Sequence, residues 1–127
     1  MKVQPVFNGK VHVTAVKDEQ WTWYDYKTSE SDDKKILDTV KDIYPKYYTM
    51  DRQAISQEDG EKVRKVIENA IGEKLDIPED AVYSATYSKS YNVPKERDCY
   101  SLLLFASEKF GSRGKIVGDR TAVDIYI

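Results

Sequence analysis

Histidine and cysteine are nearly missing from this chain: His12 and Cys99 are the only ones it has. One cysteine allows no internal disulfide and excludes a cysteine-rich zinc site. With one histidine, a Ser–His–Asp or Cys–His arrangement would have to be built on His12, and no catalytic motif surrounds it. Histidine within a strand and cysteine at the start of an apolar strand are ordinary structural residues, and Cys99 reads as a small buried hydrophobe. A metal site resting on a single histidine needs carboxylates, and no acid spacing here supplies them, so neither metal nor cofactor is expected. No apolar run approaches the roughly 18 residues of a membrane-spanning helix. The N-terminal Met1-Lys2-Val3-Gln4-Pro5 lacks the apolar stretch of a signal peptide, so a cytoplasmic protein is expected. Neither sign of charge dominates. The net charge of −2 gives little reason to expect nucleic acid as the main partner.

What the chain does have is tyrosine: ten, with two tryptophans, beside three phenylalanines. Tyrosine combines a large apolar body with a polar tip, which suits both strands and binding surfaces. The 127 residues fit one domain, 1–127. Charge is unevenly placed. Residues 18–33 carry six acids against Lys27 alone, a local charge of −5, and residues 109–120 carry a local charge of +3.

The pattern along the chain predicts an α+β fold. Val3–Phe7, then Asn8-Gly9, then Lys10–Val16 reads as a hairpin, since a type I′ turn favours Asn-Gly. That pairing sets Val6 opposite Val11, with Pro5 on a sheet edge. After the polar turn Lys17-Asp18-Glu19-Gln20, Trp21–Tyr26 reads as a third strand. Trp21 and Trp23 share one face, while Thr22, Tyr24 and Tyr26 share the other. Both rows are aromatic, so the strand is either buried on both sides or exposes one row for binding. Ser31 fits an N-cap, and Ile36, Val40, Ile43, Tyr44 and Tyr47 follow helical spacing until Pro45 ends or bends the helix. Residues 47–55 read as irregular. Ser56 and Asp59 resemble a capping box, and the stripe Val63, Val66, Ile67, Ala70, Ile71 predicts a helix over 57–74. Residues 81–91 alternate with a tyrosine stripe at 83, 87 and 91. Cys99–Ala106 is apolar on both faces and should be central, and Thr121–Ile127 forms a last strand. The order is βββ-αα-βββ: a mixed or antiparallel sheet of about five or six strands, with both helices on one face.

The acid pairs Asp32-Asp33 and Glu58-Asp59 fall where helix dipoles favour anions, and no pair is singled out for glycosidase-type work. Phe110-Gly111-Ser112-Arg113-Gly114-Lys115-Ile116 is the strongest local motif. Two glycines with Arg and Lys can present amides and cations to a phosphate. It is not a Walker A loop, which needs Gly where Lys109 stands and Ser or Thr where Ile116 stands. Gly111–Gly114 resembles the Gly-x-x-Gly loop with which KH domains clamp a nucleic-acid backbone. That family joins two helices through the loop, whereas here the segment before the strand Val123–Ile127 is too short for a helix.

With no catalytic constellation, the sequence points to a non-enzymatic protein that binds and inhibits another protein. Small phage-encoded anti-defence inhibitors and immunity proteins resemble it in size and composition. Trp23, Tyr24, Asp25, Tyr26, Asp32 and Asp33 are the candidate partner-binding residues, set against a basic surface such as a nucleic-acid enzyme's groove. One alternative is a binder of a small nucleotide or other phosphorylated ligand through Lys109, Arg113, Gly114, Lys115 and Arg120, with a site that a homo-oligomer could share. The other is single-stranded nucleic-acid binding through the same loop, against which the acidic 18–33 segment argues.

Overall fold

A computed structural model of the chain describes residues 9–44, 52–77, 81–90, 97–105 and 119–127. Strands β1 (Lys10–Lys17) and β2 (Gln20–Lys27) form a two-residue hairpin. Its turn residues, Asp18 and Glu19, have φ of 50° and 66°. Positive φ at both central positions is the type I′ geometry whose twist matches paired strands. The chain leaves the hairpin when the Thr28 amide donates to the Gly9 carbonyl at 3.0 Å, and helix α1 (Glu30–Val40) starts at once. Ser29 caps it, accepting from the Asp32 amide at 3.1 Å, so the predicted cap Ser31 lies inside the helix. The cap falls earlier because Asp33 is drawn inward. Its carboxylate accepts from the buried Gly9 amide at 2.7 Å and from the Thr28 hydroxyl, tying α1 to the end of β1. The helix stops at Val40, four residues before the predicted end, and turns carry the chain to the buried Tyr44.

Strand β3 (Gln53–Ala54) falls in the stretch that reads as irregular. Helix α2 (Gln57–Ile71) has its predicted cap, with Ser56 accepting from the Asp59 amide at 3.1 Å, and ends at Gly72 with φ 75°. Strands β4 (Val82–Ser90), β5 (Arg97–Phe105) and β6 (Arg120–Tyr126) follow.

The sheet has six strands in the order β2-β1-β6-β5-β4-β3, every pair antiparallel. The α+β expectation of six strands and two helices holds, with one change of membership. The predicted strand Val3–Phe7 lies outside the described residues, and both edges of β1 are taken. Val11 lies between Tyr26 of β2 and Ile125 of β6, so the predicted pairing with Val6 has no free edge. A local turn signal cannot weigh this, because burying the whole sheet decides which strand β1 joins.

Ile36 and Val40 of α1, and Val63 and Ile67 of α2, pack on Val11, Val13, Val123, Ile125, Tyr100, Leu102, Ala85 and Tyr83. Both helices therefore cover one face of the sheet. Gly60 lets α2 come close: a Cβ there would sit 2.1 Å from Cγ of the Tyr83 ring. The tyrosine stripe is thus part of the core. Tyr83 is buried, and the Tyr87 ring lies 4.9 Å from that of Tyr100. Tyr91 lies outside the described residues. No helix among the described residues is long and apolar enough to cross a membrane.

Candidate functional site

Strand β2 is the end of the described sheet, and three of its four aromatic side chains stand in solvent. Trp21 is 65% exposed, Trp23 64% and Tyr24 62%. The strand is not buried on both sides, and aromatics are exposed on both faces. Trp21 and Trp23 lie on the helix-free face, paired with Val16 and Thr14, whereas Tyr24 and Tyr26 lie on the helix side, paired with Val13 and Val11. Two tryptophans this exposed, side by side on one face, make a contiguous aromatic patch of the kind that marks interaction sites. Trp21 was not among the sequence-derived site residues, yet it is the most exposed of the three.

Among the described residues, the outer main chain of β2 is also open. Lys17 and Gln20 close the hairpin, so the even-numbered residues of β2 exchange hydrogen bonds with β1. The bond from the Thr28 amide to the Gly9 carbonyl fits the same alternation. The amides and carbonyls of Trp21, Trp23, Asp25 and Lys27 therefore point away from β1, and no described strand pairs with them.

On the helix-free face a polar row crosses the sheet. Asp25 of β2, His12 of β1, Asp124 of β6, Ser101 of β5 and Thr86 of β4 are successive register partners. His12 Nδ1 donates to Asp25 Oδ1 at 2.6 Å, and the Thr14 hydroxyl lies 3.1 Å from His12 Nε2. Lys10 Nζ stands 3.6 Å from the same Asp25 oxygen. The His12 hydrogen bond is the main cause that holds the Asp25 carboxyl below its ordinary range, with Lys10 adding to it. Further along, Ser101 donates to Asp124. Burial pushes the Cys99 thiol up, away from the thiolate a nucleophile needs.

Carboxylate, imidazole and hydroxyl stand in the order used by nucleophilic enzymes. Among the described residues, the rest of that machinery is not found around Thr14. It sits on a strand paired along both edges, so the main-chain amides beside it serve the ladders with β2 and β6 and none is left to stabilise an oxyanion. The network orients Asp25 across the hairpin. Among the described residues, no three His, Cys, Asp or Glu side chains are grouped to hold a metal.

The other sequence-derived residues separate. Asp32 is partly exposed and accepts from the Ser29 hydroxyl at 3.0 Å. Asp33 is 8% exposed, its carboxylate engaged inside the fold, so it presents no charge to a partner. The Tyr26 hydroxyl donates to Glu73 at 2.8 Å. Beside Tyr24 and Tyr26 runs a groove of about 240 Å³, lined by Val13, Ala15, Ile71 and Leu75 and closed by the Lys17–Asp76 ion pair. Of the candidate anion-binding residues, Lys109, Arg113, Gly114 and Lys115 lie outside the described residues. Arg120 is on β6, its guanidinium 5.5 Å from the centre of the Trp21 ring, a cation–π distance.

Compared with protein-family models, with curated proteins and with solved structures, the chain matches none of them.

Proposed function

We propose that this chain is a non-enzymatic protein that binds and inhibits another protein, docking it on the tryptophan-bearing face of β2. The observation that carries the reading is the exposure of Trp21 and Trp23 side by side on an edge strand tied to β1 by His12–Asp25. Rigid aromatics rimmed by charge are the usual anchors of protein interfaces, because they contribute contact area at little cost in side-chain entropy. Arg120 lies against Trp21, and the acids that flank the strand favour a basic target. Asp18 and Glu19 are exposed at the hairpin tip, and Glu30 is exposed where α1 begins. A surface of this kind suits the cationic groove of a nucleic-acid enzyme, whose activity the bound chain would block.

The test is a paired capture and inhibition experiment. The chain and its Trp21→Ser/Trp23→Ser variant are each cross-linked in cells of the source organism. The expected result is a basic protein enriched by the wild type and lost from the variant. That protein, once purified, is inhibited by the wild type and at least tenfold less by the variant, as expected for loss of two aromatic anchors. A target held and inhibited equally by both would overturn the reading.

A further inference from the structure

We infer that two copies of the chain pair through β2, antiparallel about a two-fold axis, and that the dimer brings four tryptophans onto one face. The first support is the state of the edge. Soluble proteins usually blunt a terminal strand by making it short, by charged side chains, by a proline, by a bulge or by a helix laid over it. β2 is eight residues long, carries no proline and pairs with β1 at every position without a bulge, and its only charges are the Asp25 carboxylate, already paired with His12 and Lys10, and Lys27 at its end.

The second support is self-complementarity. The outward-facing residues are Trp21, Trp23, Asp25 and Lys27, and they are symmetric about Tyr24. An axis through Tyr24 sets Trp21 opposite the partner's Lys27 and Trp23 opposite the partner's Asp25. In this register each outward amide and carbonyl meets a counterpart, and shifting either copy by two residues leaves the outermost ones unpaired. The side chains agree. Lys27 meets the partner's Trp21 as a cation on an indole, and Thr22 stands opposite the partner's Tyr26. The two Tyr24 rings meet on the axis. Asp25 is already held by His12 and Lys10, so it enters the seam with its charge compensated.

Two sheets of six strands then become one of twelve, and Trp21 and Trp23 of both copies lie together on the helix-free face. Only this last step, a platform that holds the target, rests on the proposed function. The acidic segment 18–33 is brought near its own copy, so salt should favour the dimer by screening, whereas salt should weaken binding of a basic target.

The experiment is light scattering on size-exclusion fractions of the full chain, over a range of concentrations and at low and high salt. The wild type is expected at twice the chain mass, more completely at high salt. Tyr24→Lys and Tyr24→Glu each place like charges on the axis at an exposed position, and each is expected at the monomer mass. Mixed one to one, the two variants are expected to recover the dimer. Circular dichroism checks that both fold. A wild type that stays monomeric at high concentration and high salt overturns the inference, as does a dimer that either variant alone retains. A monomer that still inhibits a target through Trp21 and Trp23 removes the dimer and leaves the function standing. A dimer with no target does the reverse.

Discussion

Two buried contacts, at Asp33 and at Gly60, hold the two helices to the sheet. Asp33→Ala leaves the buried Gly9 amide without an acceptor and should lower stability by roughly 1–3 kcal/mol in urea denaturation, with little effect on target binding. Gly60→Ala would normally help a helix by about 1 kcal/mol. Here the added methyl meets the rigid base of the Tyr83 ring, so a net loss of roughly 1–3 kcal/mol is expected. The tyrosines also set an alkaline limit. The hydroxyls of Tyr83, Tyr87 and Tyr126 are each pushed up to about 12, first by burial, from an ordinary value of 10. Raised values mean that the native chain keeps protons the unfolded chain has released. Their contribution is intact below pH 10 and is lost as pH rises toward 12. Circular dichroism should therefore report unfolding in that window, with tyrosinate absorbance rising in step. Ionisation of these tyrosines while the dichroism stays native would contradict their placement.

At the scale of elements, the β1–β2 hairpin is the one that carries the site, and its turn holds two side chains in the left-handed region. Glu19→Gly at φ 66° should remove roughly 1 kcal/mol of backbone cost and raise the melting temperature, without moving Trp21 or Trp23. The helices were legible because capping is local: Ser56 and the stripe Val63, Val66, Ile67 lie within a few residues of each other. The strand pairing was legible only in part. Asn8-Gly9 is the stronger turn signal by composition, but Asp18-Glu19 makes the described two-residue turn. Had that polar turn been taken to fix the register, His12 would have fallen opposite Asp25, 13 residues away, and the network would have been visible in the sequence. The cap at Ser29 in place of Ser31 is not legible locally, because nothing near it reveals that Asp33 turns inward to hold Gly9.

For the whole molecule, the sequence foretold a sheet with both helices on one side, and left open whether the aromatic rows were core or surface. That depends on which strand ends the sheet, a property of the assembled topology. The row at 83 and 87 lies beneath α2, while Trp21, Trp23 and Tyr24 lie on the open edge. The most direct test uses the fact that Trp21 and Trp23 are the only tryptophans in the chain. Acrylamide quenching of tryptophan fluorescence is measured in the free protein and again in its cross-linkable complex, using a target whose own tryptophans have been replaced. Strong quenching in the free chain and marked protection in the complex are expected. Quenching that stays equally strong in the complex would place the target elsewhere and contradict docking on β2.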